Sequence, residues 1–167
     1  AASDVYKRQA VSIVISGSGV LTFDHVGGDL ALINLSTVTD NIFVTADHTT
    51  VPGANTTVHQ VTAGGGVADA TLAITAGSLR DDGDNTTTLD AGLVDLTAQD
   101  IGLPGALAQI DTFAGTINAN STNAISGGTH GIWITDLGIS ATSTTFGNIT
   151  TADGVVVIGA ALGHVHV

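Results

Sequence analysis

The stretch Asp81-Asp82-Gly83-Asp84-Asn85 places three carboxylates and an amide carbonyl within five residues. Oxygen donors at this density suit a hard cation, so Asp81, Asp82 and Asp84 form a candidate Ca²⁺ set to which Asn85 adds a carbonyl. The spacing is not that of an EF-hand loop, and the Gly-Gly-x-Gly-x-Asp nonapeptide of calcium-binding β-rolls is absent. The plainer alternative is a solvated turn rich in Asp and Gly. Ca²⁺ is the one cofactor these residues suggest. His164 and His166 alternate near the C-terminus, so a strand would put both on one face, but two His without a third ligand make a weak metal site. His25, His48, His59 and His130 show no metal-ligand spacing.

Paired carboxylates also serve glycoside hydrolysis, in which one acts as general acid. Asp81-Asp82 and Thr129-His130-Gly131 are similar, in order, to the Asp-Asp and Gly-His-Gly elements of the pectin-cleaving β-helix enzymes. The Asn-Thr-Asp element and the substrate-binding Arg-x-Lys of that family are missing. Lyases of the same fold need Arg or Lys against substrate carboxylates, and only Arg80 is at hand. The expectation is that the chain is not an enzyme. Trp133 lies between Ile132 and Ile134, so alternation turns it outward, where an indole either stacks on a sugar or packs under a loop. The runs Thr86-Thr87-Thr88 and Thr142-Ser143-Thr144-Thr145 raise ice binding, but the Thr positions do not recur in step.

These residues must be held by β-structure. Leu72-Ala73-Ile74-Thr75-Ala76 is echoed by Val94-Asp95-Leu96-Thr97-Ala98 and by Thr116-Ile117-Asn118-Ala119, with starts at 72, 94 and 116 and therefore a step of about 22 residues. Ile132-Trp133-Ile134-Thr135 and Val155-Val156-Val157-Ile158 continue the series, and Leu30 and Val11 open similar phrases upstream. Such a period marks stacked coils that bury their apolar faces only against each other. Alternation puts Leu72, Ile74, Val94 and Leu96 inward, and the step predicts a ladder Ile74–Leu96–Ile117, with a one-residue slip at its last member supplied by a bulge or a shorter corner. The 43% hydrophobic content comes from Val, Ile, Leu and Ala, with 22 Gly supplying corners, and no long 3.6-residue stripe is present. The fold class expected is all-β, a β-solenoid of about 22 residues per coil. A β-sandwich is disfavoured, because its turns fall every 8–12 residues without ladder repetition.

Residues 1–9 differ in composition from the rest, hold Lys7, Arg8 and the only Tyr, and read as a non-native scar translated from a sequencing adapter. Residues 10–167 then form a single solenoid fragment, less regular over 10–69 and regular over 70–167. Without the scar one basic residue, Arg80, faces fourteen Asp, so neither nucleic acid nor an anionic membrane surface is an expected partner. No apolar run is long enough to span a bilayer as a helix. The absence of Cys and near-absence of Lys suit a surface protein held together without disulfides or Lys–Asn cross-links.

The stretch from Ile74-Thr75-Ala76-Gly77-Ser78-Leu79-Arg80-Asp81-Asp82-Gly83-Asp84 through Leu89-Asp90-Ala91-Gly92-Leu93-Val94-Asp95-Leu96-Thr97-Ala98 to Ile101-Gly102 resembles the repeats of large bacterial adhesins of the filamentous-haemagglutinin-like and autotransporter type. Their coils read I-x-A-G-x-I/L, D-(D)-G-D, L-x-A-G-x-x-x-L-x-A, I-G. Ile110-Asp111-Thr112-Phe113-Ala114-Gly115-Thr116-Ile117 and Ile149-Thr150-Thr151-Ala152-Asp153-Gly154-Val155-Val156-Val157 are similar to the phrases that follow in that family. The resemblance covers roughly residues 70–160. It implies a right-handed parallel β-helix in a secreted or surface-exposed protein, most simply at the outer membrane of a Gram-negative bacterium. A non-catalytic structural and adhesive role follows, with a host-cell or matrix surface or a glycan as partner and the rest of a longer parent chain at both ends. A β-helix carbohydrate-active enzyme or sugar-binding module is the alternative. No catalytic residue is carried over.

Overall fold

The computed structural model describes residues 9–84, 88–125, 129–138, 144–160 and 165–166, with 88, 165 and 166 described by their backbone alone. The strands are β1 (Gln9–Ile15), β2 (Leu21–Val26), β3 (Leu30–Thr37), β4 (Ile42–Asp47), β5 (Asn55–Val58), β6 (Gln60–Thr62) and β7 (Asp69–Thr75). They continue as β8 (Ser78–Asp81), β9 (Thr88–Ala98), β10 (Ile110–Ser121), β11 (Gly131–Asp136), β12 (Thr144–Thr151), β13 (Val155–Ala160) and β14 (Val165–His166). One 3₁₀ turn, Gly64–Gly66, precedes β7. Pairing between these strands is parallel throughout, and the chain winds into a β-solenoid of about six coils.

Each coil has three walls, and three inward columns of side chains run along the axis. The first is Leu30, Thr56, Leu79, Ile101, Ile132 and Val156, in steps of 26, 23, 22, 31 and 24 residues. The second is Leu35, Val61, Leu89, Thr112, Asp136 and Ala160, in steps of 26, 28, 23, 24 and 24. The third is Leu21, Ile42, Ala70, Val94, Ile117 and Phe146, in steps of 21, 28, 24, 23 and 29. The shortest steps lie at the expected length of about 22 residues, and the longer ones carry loops at the corners, such as 103–109 within the 31-residue step. Strands β3, β9, β10 and β11 each cross from one wall to the next, which joins all three walls into one sheet.

Alternation explains why these segments are strands. In β9 Val94, Leu96 and Ala98 are fully buried while Asp95 and Thr97 between them face out, and β-branched or leucine side chains fill the inner rows. Each buried Leu or Ile contributes about 1.5–3 kcal/mol, and it does so against the coil above and the coil below.

The ladder Ile74–Leu96–Ile117 is not formed. Leu72 pairs with Leu96, which pairs with Ala119, while Ala70, Val94 and Ile117 make the neighbouring rung. A two-residue slip leaves every side chain on its proper face, so alternation alone does not decide between these registers. The echo also merged walls: β7 and the 93–98 part of β9 belong to the third, while β11 and β13 cross from the first to the second. Residues 10–69 stack as the rest do, with one register shift between Val11 and Ser12. Gln9, the last residue of the expected scar, opens β1 opposite Leu30; residues 1–8 lie outside the described ones.

In the last coil Val157 continues the outward row from Trp133 and is 38% exposed, whereas Ile158 stacks on Ile134 and joins the core. Val157→Lys is therefore expected to leave the melting midpoint within about 0.5 kcal/mol of the parent and to improve solubility. Ile158→Lys is expected to lose about 2 kcal/mol or more by placing an unpaired charge against apolar side chains. Urea denaturation of the two variants side by side checks the contrast, and equal behaviour would contradict the register of β13.

Candidate functional site

Two polar clusters lie beside one another on the first and second walls. The first is the corner where β8 ends. Gly83 takes φ +96° with open space around it, so the chain reverses there, and Asp81 and Asp82 brace the reversal: Gly83 N–H donates to Asp81 Oδ2 at 2.8 Å and Asp84 N–H to Asp82 Oδ1 at 3.2 Å. His59 Nδ1 sits 2.8 Å from Asp82 Oδ2. The next coil brings in Asp111 on β10. Its neighbours Ile110 and Thr112 face the core, so Asp111 faces away from it, yet it is only 3% exposed. Burial, then the charges of Asp81, Asp82 and Asp84, push the Asp111 carboxyl up to about 6. Asp81 is likewise pushed up to about 6, by burial first, which outweighs the hydrogen bond from Gly83 and is reinforced by Asp82 and Asp84.

Asp100 is the hub of the second cluster. Its buried carboxylate accepts from Gly131 N–H at 3.0 Å, Ser78 Oγ–H at 3.3 Å and Asn123 Nδ2–H at 3.2 Å, with His130 Nδ1 at 3.3 Å and Arg80 at 3.7 Å. Arg80 also donates to Gly102 O at 2.7 Å. These partners come from three successive coils, so Asp100 fastens them to one another. Ser, His and Asp are all present, but the hydroxyl is bonded to the carboxylate and not to the imidazole. The Ser–His link that activates a serine nucleophile is missing from this wiring. Asp81 and Asp111 rise together, whereas a hydrolase pair is set apart into one acid and one carboxylate.

A third feature is an open groove of about 720 Å³ along the bend between the second and third walls, where Gly66, Gly92, Gly115 and Gly138 leave the backbone bare. Asp90 and Phe113, register partners on adjacent coils, stand side by side in it. Burial raises the Asp90 carboxyl. The Gly66 backbone passes so near that carboxylate that a Cβ would strike it.

Of the residues expected from sequence, Asp81, Asp82 and Asp84 do share one corner. Among the described residues no three His or Asp side chains already stand together as metal ligands. Asn85 and His164 lie outside the described residues, as does the side chain of His166; so do Thr86, Thr87, Thr142 and Ser143. Trp133 alternates outward as predicted and is only 3% exposed, which fits the packed alternative and not the one in which its ring is presented to a sugar; a Cβ on Gly102 in the coil beneath would strike its backbone carbonyl. Asp111 and Asp100 were missed because each is a lone Asp far in sequence from its partners. An acidic residue inside an otherwise apolar phrase was the only signal for Asp111. His48, without metal spacing, is a buried fastener: Nδ1 lies 2.8 Å from Gly27 O and Nε2 3.0 Å from Thr56 Oγ1, and a Cβ on Gly77 would run into its ring.

A scan against protein-family models and searches of curated proteins and of solved structures each found no match.

Removing the hub should be costly. Asp100→Ala is expected to lose about 3–5 kcal/mol, because it strands Arg80 and the Gly131 N–H, and urea denaturation measures it. The acidic corner acts in the other direction. Asp81 and Asp111 hold protons more firmly folded than unfolded, where Asp titrates near 3.8. Their contribution to stability is thus full below about pH 4 and is lost as pH rises through about 6. Asp40 and Asp47, lowered by hydrogen bonds from Thr39 and Thr49 respectively, oppose this only below the ordinary Asp range. The melting temperature in chelator should climb from pH 7.5 to 5, and Asp111→Asn should flatten the climb. An unchanged slope in that variant would contradict the assignment.

Proposed function

We propose that the chain is a non-catalytic structural and adhesive segment of a large secreted or surface-exposed bacterial protein, a length of shaft like those of filamentous-haemagglutinin-like and autotransporter-type adhesins. The observation that supports this reading best is the continuity of the three inward columns. Stacking passes from coil to coil, and the polar clusters serve to tie corners. The acidic surface, with Arg80 as the one Lys or Arg among the described residues, suits an extracellular surface and not a polyanion. No helix among the described residues is long and apolar enough to cross a membrane, which leaves β-barrel anchoring elsewhere in a parent protein open to test.

The groove at the second bend favours a sugar-binding role within the same segment. An aromatic ring beside a carboxylate offers a stacking face and a hydroxyl acceptor, and the groove crosses four coils. The ligand expected there is a glycan of a host-cell or matrix surface.

Immobilised protein is tested against a glycan panel and matrix proteins by interferometry. Binding that weakens about tenfold in Phe113→Ala, with the fold intact, supports the reading. Release of reducing ends or unsaturated sugars from a polysaccharide would overturn it in favour of an enzyme.

A further inference from the structure

We propose that the groove along the bend between the second and third walls takes a glycan whose sugars carry a free, protonated amino group, with the ammonium seated on Asp90 and the sugar ring lying on Phe113. The proposal rests on the glycan-binding reading above and adds to it the charge of the ligand.

The lining of the groove decides that charge. Its volume of about 720 Å³ lies within the range of ligand sites. Asp90 is the one charged side chain among its lining residues and Phe113 the one aromatic ring; the others are Gly, Ala and Val, which bring neither a counter-charge nor a side-chain donor. Asp90 on β9 and Phe113 on β10 are register partners, so their side chains leave the sheet on one face about 4.8 Å apart. The Gly66 backbone closes one side of the carboxylate, where a Cβ would strike it. Burial alone raises Asp90, with no hydrogen bond or positive charge to offset it. Arg80 is committed elsewhere, to Gly102 O and Asp100.

A carboxylate partly withdrawn from water gains most from a ligand that brings both a positive charge and N–H donors. An ammonium group supplies both, and the π-face of Phe113 attracts the same cation. The apolar face of a sugar ring packs flat on that aromatic surface. Gly92 and Gly115, each two residues beyond Asp90 and Phe113, place no side chain beside them, so the ring is approached across bare backbone. A hydroxyl at the same point donates without charge, an acetamido group adds bulk without charge, and a uronate or sulfate is repelled. The groove crosses four coils, roughly 14 Å at the spacing of stacked strands, so an oligomer and not a single sugar spans it.

The full chain is titrated by calorimetry at pH 6 and about 0.15 M salt with a glucosamine tetramer, its N-acetylated counterpart, a glucose tetramer of the same linkage and tetralysine. The glucosamine tetramer should bind about tenfold more tightly than the two uncharged sugars. Asp90→Asn, which keeps the shape of the side chain, should erase that preference. Phe113→Leu, which keeps most of the bulk, should weaken all three sugars about tenfold. Asp153→Asn, in an exposed turn of a later coil, should change neither. A preference kept in Asp90→Asn, or lost equally in Asp153→Asn, would mark general attraction to an acidic surface and overturns the proposal. Tighter binding of tetralysine that depends on Asp90 and Phe113 also overturns it, in favour of a peptide. Equal affinity for charged and uncharged tetramers, lost in Phe113→Leu, overturns the proposal while the glycan reading stands. Absence of binding to these sugars and to every glycan of the wider panel overturns both.

Discussion

Everything in this molecule depends on parallel pairing between coils with the inward side chains in register. A single coil has a thin apolar interior and cannot offset the entropy of ordering roughly two dozen residues at about 1–2 kcal/mol each. Stacked, each rung such as Leu30–Thr56–Leu79–Ile101–Ile132 is covered on both sides, and backbone N–H and C=O groups are satisfied by the coils above and below. The aliphatic character of the core follows from this. Slim branched side chains fit the 4.8 Å spacing of stacked strands, and larger ones are pushed to the ends or the outside, as Phe146 and Trp133 are.

The corners are where the chain departs from an aliphatic design. His48 and Asp100 each tie groups from more than one segment, and each is built from residues that do not stand near one another in sequence. Both fasteners are balanced by their partners.

The architecture could be read from alternation and repetition because both are local. Val94-Asp95-Leu96-Thr97-Ala98 announces its own faces, and the recurrence of such phrases announces stacking. Register could not be read so, since shifting Leu72 from Leu96 to Val94 changes no side chain's face; loop lengths at the corners decide it, and they vary from coil to coil. The same limit applied to the sites. Asp81, Asp82 and Asp84 were visible because they are adjacent, while Asp111 and Asp100 become partners only through the winding. The face of Trp133 was legible but the choice between its two surroundings was not, because alternation says which way a ring points and not what covers it.

Parallel pairing along the axis also has a mechanical meaning. A pull on the two ends of such a shaft runs along the inter-coil hydrogen bonds, so load falls on one interface at a time and the outermost coil peels first. Each coil released frees about 25 residues, or roughly 80 Å of extended chain, at the loss of one coil spacing of about 4.8 Å. The shaft would then yield in regular increments under tension instead of breaking, dissipating work at every step while the coils still wound keep their shape.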